Sequence, residues 1–219
     1  RDLHLCDRRQ RQMCIRDRLC AYFLSAEKGQ TVLDICSAPG GKTFTIAEYM
    51  QNSGKITACD MYKHKLKLIE KGAKRLGINI IETCLRDGAS ADKELPSADR
   101  ILCDVPCSGL GVLSRKPEIR YKDDLIDTDL ADIQYKILCE SAKYLKKGGK
   151  LVYSTCTLNP QENNKNTAKF LAEHNDFEGV KLELPPELKR AFDEKPYEIT
   201  LMPHTFDGDG FYIAVLTRR

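Results

Sequence analysis

The sequence predicts one α/β domain in which helices cover both faces of a mostly parallel β-sheet. From residue 19 onward, short apolar runs typical of buried strands alternate with segments of helical periodicity. Glycine, proline and polar turn residues separate the two kinds of segment. The chain has 219 residues, 42% of them hydrophobic, which is enough for one sizeable core. Strands that alternate with helices of this length imply a parallel sheet.

The predicted elements follow one another in a regular order. The strands are predicted at residues 31–35, 55–59, 78–84, 99–105, 151–154 and 211–216, and the helices at residues 19–26, 43–50, 63–76, 130–145 and 161–174. Gly29 and Gly77 end the first and third helices, and Pro106 interrupts the fourth strand. The segment Lys146-Lys147-Gly148-Gly149 is a typical carboxy-terminal end for the fourth helix.

Polar and glycine-rich segments follow the predicted strands, and these segments carry the candidate site. They are the loop 36–42, Asp60, Asp87, the segment 104–107 and the dipeptide 155–156. Because ligands of a parallel sheet bind outside the carboxyl ends of its strands, we expect these segments to converge on one edge. That edge is the predicted active site.

Residues 1–18 stand apart from this pattern, and residues 19–219 form the predicted domain. The segment 8–18 is basic and shows neither strand nor helix periodicity. It resembles peptides that arise when sequencing-adapter DNA is translated, so we interpret residues 1–18 as non-native or disordered. A basic arm that touches RNA is the alternative interpretation.

The composition argues against several classes of protein. A net charge of +3 permits RNA binding without indicating it. No apolar run approaches the length of a membrane span and no signal peptide is recognisable, so we expect a cytoplasmic protein and, by default, a monomer. The 10 cysteines form no Cys-x-x-Cys pair and the 4 histidines are not spaced as ligands beside them, so no metal site is predicted.

The loop after the first strand, Cys36-Ser37-Ala38-Pro39-Gly40-Gly41-Lys42, is typical of a site for a nucleotide-like cofactor. Gly40 and Gly41 remove side chains where the backbone must approach a ligand, and Pro39 stiffens the turn. A loop of this kind lets the backbone close around the cofactor.

Three carboxylates at successive strand ends support the same interpretation. Asp60 is placed to accept hydrogen bonds from ribose hydroxyls, and Asp87 to accept one from an adenine amino group. Asp104 lies at the end of the fourth predicted strand. Each aspartate taken singly could equally be a helix cap or a turn former.

A nucleoside triphosphatase is the alternative enzyme class that the loop leaves open. Gly41-Lys42-Thr43 fits the end of the phosphate-binding loop Gly-x-x-x-x-Gly-Lys-Ser/Thr, but Cys36 stands where its first glycine belongs. The segment 101–104 could pass for the acidic strand that holds magnesium in such enzymes. The Gly-x-Gly-x-x-Gly fingerprint of dinucleotide-binding proteins is absent.

Two cysteines lie in short distinctive contexts, Asp104-Val105-Pro106-Cys107-Ser108-Gly109 and Ser154-Thr155-Cys156-Thr157. A thiolate is a strong nucleophile at modest pH, so the pair indicates covalent catalysis on a base. The alternative for any cysteine is a small side chain that fills the core. We apply that alternative to Cys36, Cys59, Cys103 and Cys139.

From about residue 19 to the end, these motifs resemble the Nop/Sun family of RNA cytosine-5 methyltransferases, in particular the catalytic domain of the bacterial Sun (RsmB) enzymes that act on 16S ribosomal RNA. The matching segments are the loop 36–42, the Pro-Cys segment 104–109, the Thr-Cys segment 153–157, the segment 115–121 and the closing segment 209–212. Ser37 and Thr157 stand where the family commonly has alanine and serine. The resemblance implies a Rossmann-like S-adenosylmethionine-dependent methyltransferase fold.

The resemblance also implies the chemistry. S-adenosylmethionine would be the methyl donor and C5 of a cytosine in RNA, in particular small-subunit ribosomal RNA, the acceptor. Cys156 would attack C6 of the base, Cys107 would serve the release of the adduct, and Asp104 would hydrogen-bond the base near N3. The implied cofactor-binding residues are Cys36, Ser37, Ala38, Pro39, Gly40, Gly41, Lys42, Asp60, Asp87 and Asp104.

Candidate RNA contacts follow the Pro-Cys segment directly. Arg115, Lys116 and Arg120 are therefore interpreted as substrate-binding residues that contact phosphates. The lysines of the predicted helix 63–76 are interpreted as a solvated face. An RNA-binding module without catalysis is the remaining alternative to an enzyme.

Overall fold

The computed structural model describes residues 18–91, 94–121, 128–184, 196–204 and 208–219. Within these ranges the strands are β1 (Thr31–Asp34), β2 (Lys55–Asp60), β3 (Ile81–Leu85), β4 (Ala98–Asp104), β5 (Leu145–Thr155), β6 (Phe177–Gly179), β7 (Glu198–Leu201) and β8 (Phe211–Arg218). The helices are α1 (residues 18–24), α2 (Gly41–Tyr49), α3 (Lys63–Leu76), α4 (Thr128–Ala142) and α5 (Asn164–Glu173). Two short 3₁₀ helices, Leu110–Val112 and Pro117–Tyr121, lie between β4 and α4.

All of these strands belong to one sheet that is parallel over most of its width. Strands β1 to β5 are mutually parallel and lie in the order β3-β2-β1-β4-β5. Strand β8 pairs antiparallel with β5, and β6 and β7 pair antiparallel with the other edge of β8. The mostly parallel α/β sheet predicted from the sequence is confirmed.

Helices cover both faces of the sheet, as predicted. Leu33 of β1 belongs to a buried cluster with Ile137 of α4 and Phe170 of α5. Its neighbour Val32 belongs to a second cluster that includes Ile46 of α2 and residues of α1. Successive residues of a strand point to opposite faces, so these clusters lie on opposite sides of the sheet. No helix in the described ranges is long and apolar enough to cross a membrane.

The structure corrects the predicted boundary between α4 and β5. Helix α4 ends at Ala142, and the segment 146–149, predicted as the end of the helix, lies inside β5. The register between β4 and β5 shifts between Ala98 and Arg100, and Gly148 has a φ of 72°. The glycine-rich segment is therefore an irregularity within a strand. Its lysines and glycines are also typical of a helix end, which explains the wrong prediction.

Helix α5 and two short strands also differ from the prediction. The helix begins at Asn164, three residues later than predicted. Hydrogen bonds from Gln161 N–H to Asn159 Oδ1 and from Asn163 Nδ2 to the carbonyl of Thr157 hold the preceding residues in turns. Strands β6 and β7 have only 3 and 4 residues and were not predicted.

The register of the central strands aligns their carboxyl ends, as the sequence analysis expected. Asp34, the last residue of β1, pairs with Leu102 of β4. Asp104, the last residue of β4, pairs with Ser154 of β5. The segments that leave these strands therefore begin side by side on one edge of the sheet.

The position of β1 in the middle of the sheet yields a stability prediction. Leu33→Ala removes a fully buried side chain and should lower the free energy of unfolding by about 2–5 kcal/mol. Leu68→Ala on α3 is the matched control, because that leucine is exposed and should cost less than about 0.5 kcal/mol. Urea unfolding followed by circular dichroism measures both, since the chain has no tryptophan. Equal losses for the two variants would contradict the assignment of Leu33 to the core.

Candidate active site

A cleft of about 300 Å³ opens at the carboxyl ends of β1, β4 and β5. Its walls include residues 36–39, Gly41, Lys42, Asp104, Arg115, Lys116 and Cys156, all of which the sequence analysis named. Gly40, Asp60, Asp87, Cys107 and Arg120 are not among the residues that line it. The structure thus brings most of the predicted site into one cavity.

Hydrogen bonds fix the loop between β1 and α2 over the ends of two strands. The backbone N–H and the hydroxyl of Ser37 both donate to the carbonyl of Cys59, at 2.9 and 2.8 Å. The hydroxyl of Thr43 donates to Asp34 Oδ2 at 2.7 Å and ties the start of α2 to the end of β1. Gly40 has a φ of 107°, in the left-handed region that favours glycine. A Cβ there would also lie 2.6 Å from the ring of Phe44.

Asp60 and Asp87 lie at the ends of the two strands next to this loop. Asp60 is buried, and its Oδ1 accepts the N–H of Tyr62 at 2.9 Å. Asp87 is exposed, and its Oδ1 accepts the N–H of Ala89 at 2.9 Å. These are the bonds of turn-forming aspartates, the alternative that the sequence left open. In each carboxylate, Oδ2 accepts no hydrogen bond from the described residues.

Asp104 projects into the cleft and is held by two donors. Its Oδ2 lies 2.8 Å from the ammonium of Lys42, and both side chains are partly exposed. Its Oδ1 accepts the hydroxyl hydrogen bond of Ser154 at 2.7 Å. The Lys42 ammonium also lies 5.7 Å from the centre of the Phe211 ring. These contacts place one negative and one positive charge side by side in the cleft wall.

The two cysteines of the Pro-Cys and Thr-Cys segments are in contact. Their Sγ atoms are 2.9 Å apart, and the N–H of Cys156 donates to Cys107 Sγ at 3.2 Å. The hydrogen bond to Cys156, together with burial, raises the pKa of the Cys107 thiol well above its ordinary value. Cys107 therefore remains a thiol at neutral pH and can donate to Cys156, whose side chain lines the cleft.

Of the remaining cysteines that the sequence analysis assigned to the core, Cys59 and Cys103 are buried, whereas Cys36 and Cys139 are half-buried. Burial raises the pKa of Cys36, Cys59 and Cys139, and it raises the pKa of Cys103 to about 12. A thiol with a raised pKa supplies little thiolate at neutral pH. In the described part of the chain, no three His, Cys, Asp or Glu side chains form a group that could hold a metal ion.

The three candidate RNA contacts occupy different positions. Arg115 lines the cleft, and one of its guanidinium nitrogens lies 2.5 Å from Oδ2 of the buried Asp209. Asp209 also accepts a hydrogen bond from the hydroxyl of Ser114 at 3.1 Å. Lys116 lines the same cleft and is exposed, whereas Arg120 is exposed outside it. Arg115 is thus anchored and Lys116 is free to reach solvent.

Sequence reasoning did not assign a role to two buried carboxylates, Asp209 and Glu162. Asp209 opens the closing segment and Glu162 follows the Thr-Cys segment, so both lie next to motifs that were recognised. Charged residues are rarely buried unless they are paired, but their burial cannot be read from one sequence. Proximity to a motif was the only signal available.

Known proteins of one methyltransferase family are similar to this chain. The family model "16S rRNA methyltransferase RsmB/F" matches residues 21–217. A protein of Bacillus subtilis named probable ribosomal RNA small subunit methyltransferase B is 45% identical over 206 residues, which are 92% of this chain and 46% of the relative. A Synechocystis protein of the same name is 37% identical over 203 residues, 90% of this chain and 45% of the relative. The chain thus spans less than half the length of these relatives.

Solved structures show the same fold. NSun6 from Pyrococcus horikoshii, solved with SFG, has a TM-score of 0.79 and 30% identity, over 92% of this chain and 51% of that one. A methyltransferase homologue from the same organism has a TM-score of 0.75 and 28% identity, over 93% of this chain and 66% of that one. The Rossmann-like methyltransferase fold that the sequence analysis expected is confirmed.

The thiol contact yields a prediction about alkylation. Cys156→Ala removes the hydrogen-bond acceptor that contributes most to the raised pKa of Cys107, so the pH midpoint for alkylation of Cys107 by iodoacetamide should fall. Peptide mass spectrometry across a pH series measures this midpoint. Cys139→Ala, which removes a thiol elsewhere, is the control and should leave it unchanged. An equal midpoint in the wild-type chain and in Cys156→Ala would contradict the assigned hydrogen bond.

Proposed function

We propose that this chain, which belongs to the RsmB/F family of 16S rRNA methyltransferases, transfers a methyl group from S-adenosylmethionine to C5 of a cytosine in 16S ribosomal RNA. The transfer would proceed through a covalent adduct between a cysteine and C6 of the base. The observation that carries this proposal is the 2.9 Å contact between the thiols of Cys107 and Cys156 at a cleft lined by the loop 36–42. Two thiols that share one hydrogen bond suit a reaction in which one sulfur forms and then releases a covalent bond.

The residues at the carboxyl edge fit the proposed cofactor. The fixed backbone of the loop 36–41 would hold the methionine and ribose portions, and Oδ2 of Asp60 and of Asp87 would accept hydrogen bonds from the ribose and the adenine. S-adenosylmethionine has no phosphate groups, so the missing first glycine of the phosphate-binding loop is no obstacle. When bound, S-adenosylmethionine supplies an electrophilic methyl group.

The first chemical step follows from the nature of the base. C5 of cytosine is a poor nucleophile until a nucleophile adds to C6. The thiolate of Cys156 would form the S–C6 bond, and the displaced electron pair would make C5 reactive, as in an enamine. Asp104 would bind the base near N3 by accepting a hydrogen bond from the adjacent amino group, and the Lys42 ammonium 2.8 Å from Asp104 would add positive charge near the developing negative charge.

Release of the product requires the reverse of that addition. Once C5 carries the methyl group, its proton must leave, the C5–C6 double bond must reform and the S–C6 bond must break, with the electron pair returning to Cys156. The sulfur of Cys107 lies 2.9 Å from the sulfur of Cys156, which would carry that bond. Cys107 would first give its own proton to solvent. Because its pKa is raised, the thiolate formed in this way is a strong base, which suits removal of the C5 proton directly or through a water molecule.

RNA must present the target base unstacked, because Cys156 cannot reach C6 within a stacked helix. Arg115 and Lys116 lie in the wall of the same cleft, where the backbone of a flipped nucleotide would pass. Phosphate contacts here would position the base over Cys156 without reading sequence. Arg120 would extend this basic surface outside the cleft.

Adduct trapping tests the proposed chemistry. Cys156→Ala should abolish methyl transfer, because no sulfur remains to attack C6. Cys107→Ala should accumulate a covalent protein–RNA species, because attack is retained and release is impaired. A denaturing gel, run after incubation with S-adenosylmethionine and unmodified 16S ribosomal RNA, measures the adduct, and sequencing of the attached RNA identifies the nucleotide.

The double variant Cys107→Ala/Cys156→Ala is the control and should give no covalent band. A band that persists in this variant would contradict the role of Cys156. Magnesium-dependent ATP binding without affinity for S-adenosylmethionine would favour the triphosphatase alternative. RNA binding with no difference between the wild-type chain and Cys156→Ala in any assay would favour a binding module.

RNA affinity tests the basic residues. Lys116→Ala should weaken binding and reduce the slope of log affinity against log salt concentration by about one, as expected for the loss of a phosphate contact. Lys67→Ala, an exposed lysine on α3, is the matched control and should change neither quantity. Fluorescence anisotropy across a salt series measures both variants. Equal effects of the two substitutions would indicate a diffuse charge effect rather than a site.

A further inference from the structure

A single buried carboxylate joins the Pro-Cys segment to the turn that follows the Thr-Cys segment. Glu162 is 1% exposed. Its Oε2 accepts hydrogen bonds from the N–H of Ser108 at 2.9 Å and from Gln134 Nε2 at 2.8 Å. Its Oε1 accepts hydrogen bonds from the hydroxyl of Ser108 at 2.6 Å and from Asn159 Nδ2 at 3.0 Å.

The partners of Glu162 come from both sides of the cysteine pair. Ser108 directly follows Cys107, and Asn159 lies three residues after Cys156. Gln134 of α4 also donates to the carbonyl of Pro106 at 2.8 Å, so it supports the same segment from the helix side. The carboxylate therefore spans the gap between the two loops that carry the thiols.

A second chain of hydrogen bonds runs through the same atoms. Because the Ser108 hydroxyl donates to Glu162, the 2.8 Å contact between Ser108 Oγ and Thr157 Oγ1 has Thr157 as donor. Thr157 directly follows Cys156, and its Oγ1 accepts the N–H of Asn159 at 3.2 Å. The flanks of both cysteines are thus connected to each other as well as to Glu162.

Every group that faces the carboxylate of Glu162 from the described residues is a hydrogen-bond donor. An ionised carboxylate offers acceptors only and satisfies all four contacts. A glutamine of the same shape would place an N–H₂ group against the Ser108 N–H and Gln134, or against Asn159. The site therefore requires the charge of Glu162 and not only its volume.

We propose that Glu162 is a positioning residue that holds Cys107 against Cys156 for the release of the methylated base, an inference that rests on the proposed function. Attack on C6 uses Cys156 alone, whereas release needs the second sulfur beside the S–C6 bond. Loss of the Glu162 contacts should therefore impair release more than attack. A misplacement of about 1 Å can cost about 100-fold in rate.

Chemical cross-linking tests this inference without RNA. Diamide takes up the two thiol hydrogens and joins cysteines whose sulfurs can approach to about 2 Å. The rate at which a Cys107–Cys156 disulfide appears, measured by peptide mass spectrometry, reports how closely the two thiols are held. Glu162→Gln should slow this reaction by about tenfold or more.

Glu198→Gln is the matched control for a general loss of stability. Glu198 is another buried glutamate, on β7, and its Oε2 accepts the hydroxyl hydrogen bond of Tyr212 at 2.6 Å. This substitution should lower the melting temperature while the cross-linking rate stays at the wild-type value. A wild-type cross-linking rate in folded Glu162→Gln, or equal slowing in both variants, would overturn the inference.

Ser108→Ala decides the question if Glu162→Gln does not fold. It removes the hydroxyl contacts to Glu162 and Thr157 without changing a buried charge. It should slow the cross-linking in the same direction, by several-fold. A wild-type rate in Ser108→Ala would then count against the inference.

The partition between adduct and product gives the second readout. In a single-turnover assay, Glu162→Gln should raise the ratio of trapped adduct to released methylated RNA by about tenfold or more. If Cys107→Ala traps RNA while Glu162→Gln keeps the wild-type ratio, the inference fails and the proposed function stands. If Cys107→Ala traps nothing while Glu162→Gln still slows cross-linking, the proposed release role fails and the positioning of the thiols stands.

Discussion

The parallel pairing of β4 with β5 is the constraint on which the rest of the site depends. Asp104 pairs with Ser154 at the end of this ladder, and the chain leaves both strands in the same direction. Cys107 comes three residues after Asp104, and Cys156 comes two residues after Ser154. The thiols of these two cysteines are 2.9 Å apart. A slip of one residue in this pairing would turn the side chains of one strand to the opposite face and separate the pair.

Buried charge supplies the second level of organisation around the cleft. Glu162 is enclosed by donors from three segments, and Asp209 holds the guanidinium of Arg115. Burying a carboxylate is unfavourable unless hydrogen bonds or an opposite charge replace the lost water. Both carboxylates have such partners. The surrounding loops are therefore restricted to the few arrangements that keep these hydrogen bonds and the ion pair. The rigid sheet positions the strand ends, and these carboxylates position the loops that extend beyond those ends.

The motifs and the topology could be predicted because each depends on local sequence or on a general rule. Helix α3 has the predicted bounds, since its amphipathic period and Gly77 are unambiguous. The position of the segment 146–149 inside strand β5 was not predictable, because the same residues are typical of a helix end. The turn bonds of Asp60 and Asp87 were predicted only as an alternative to cofactor contacts, and both aspartates retain one oxygen without a partner among the described residues.

Strand and helix periods and short motifs are local properties of the chain, so the α/β class, the family and the residues near the strand ends could be predicted from the sequence. The folded structure was needed to show that Cys107 and Cys156 touch, that Lys42 pairs with Asp104, and that Glu162 connects Ser108 with Asn159. The two thiols are 49 positions apart in the sequence, and Ser108 and Glu162 are 54 positions apart. Such contacts depend on the register of the sheet and on which polar groups are excluded from water, and neither quantity is encoded in any single segment.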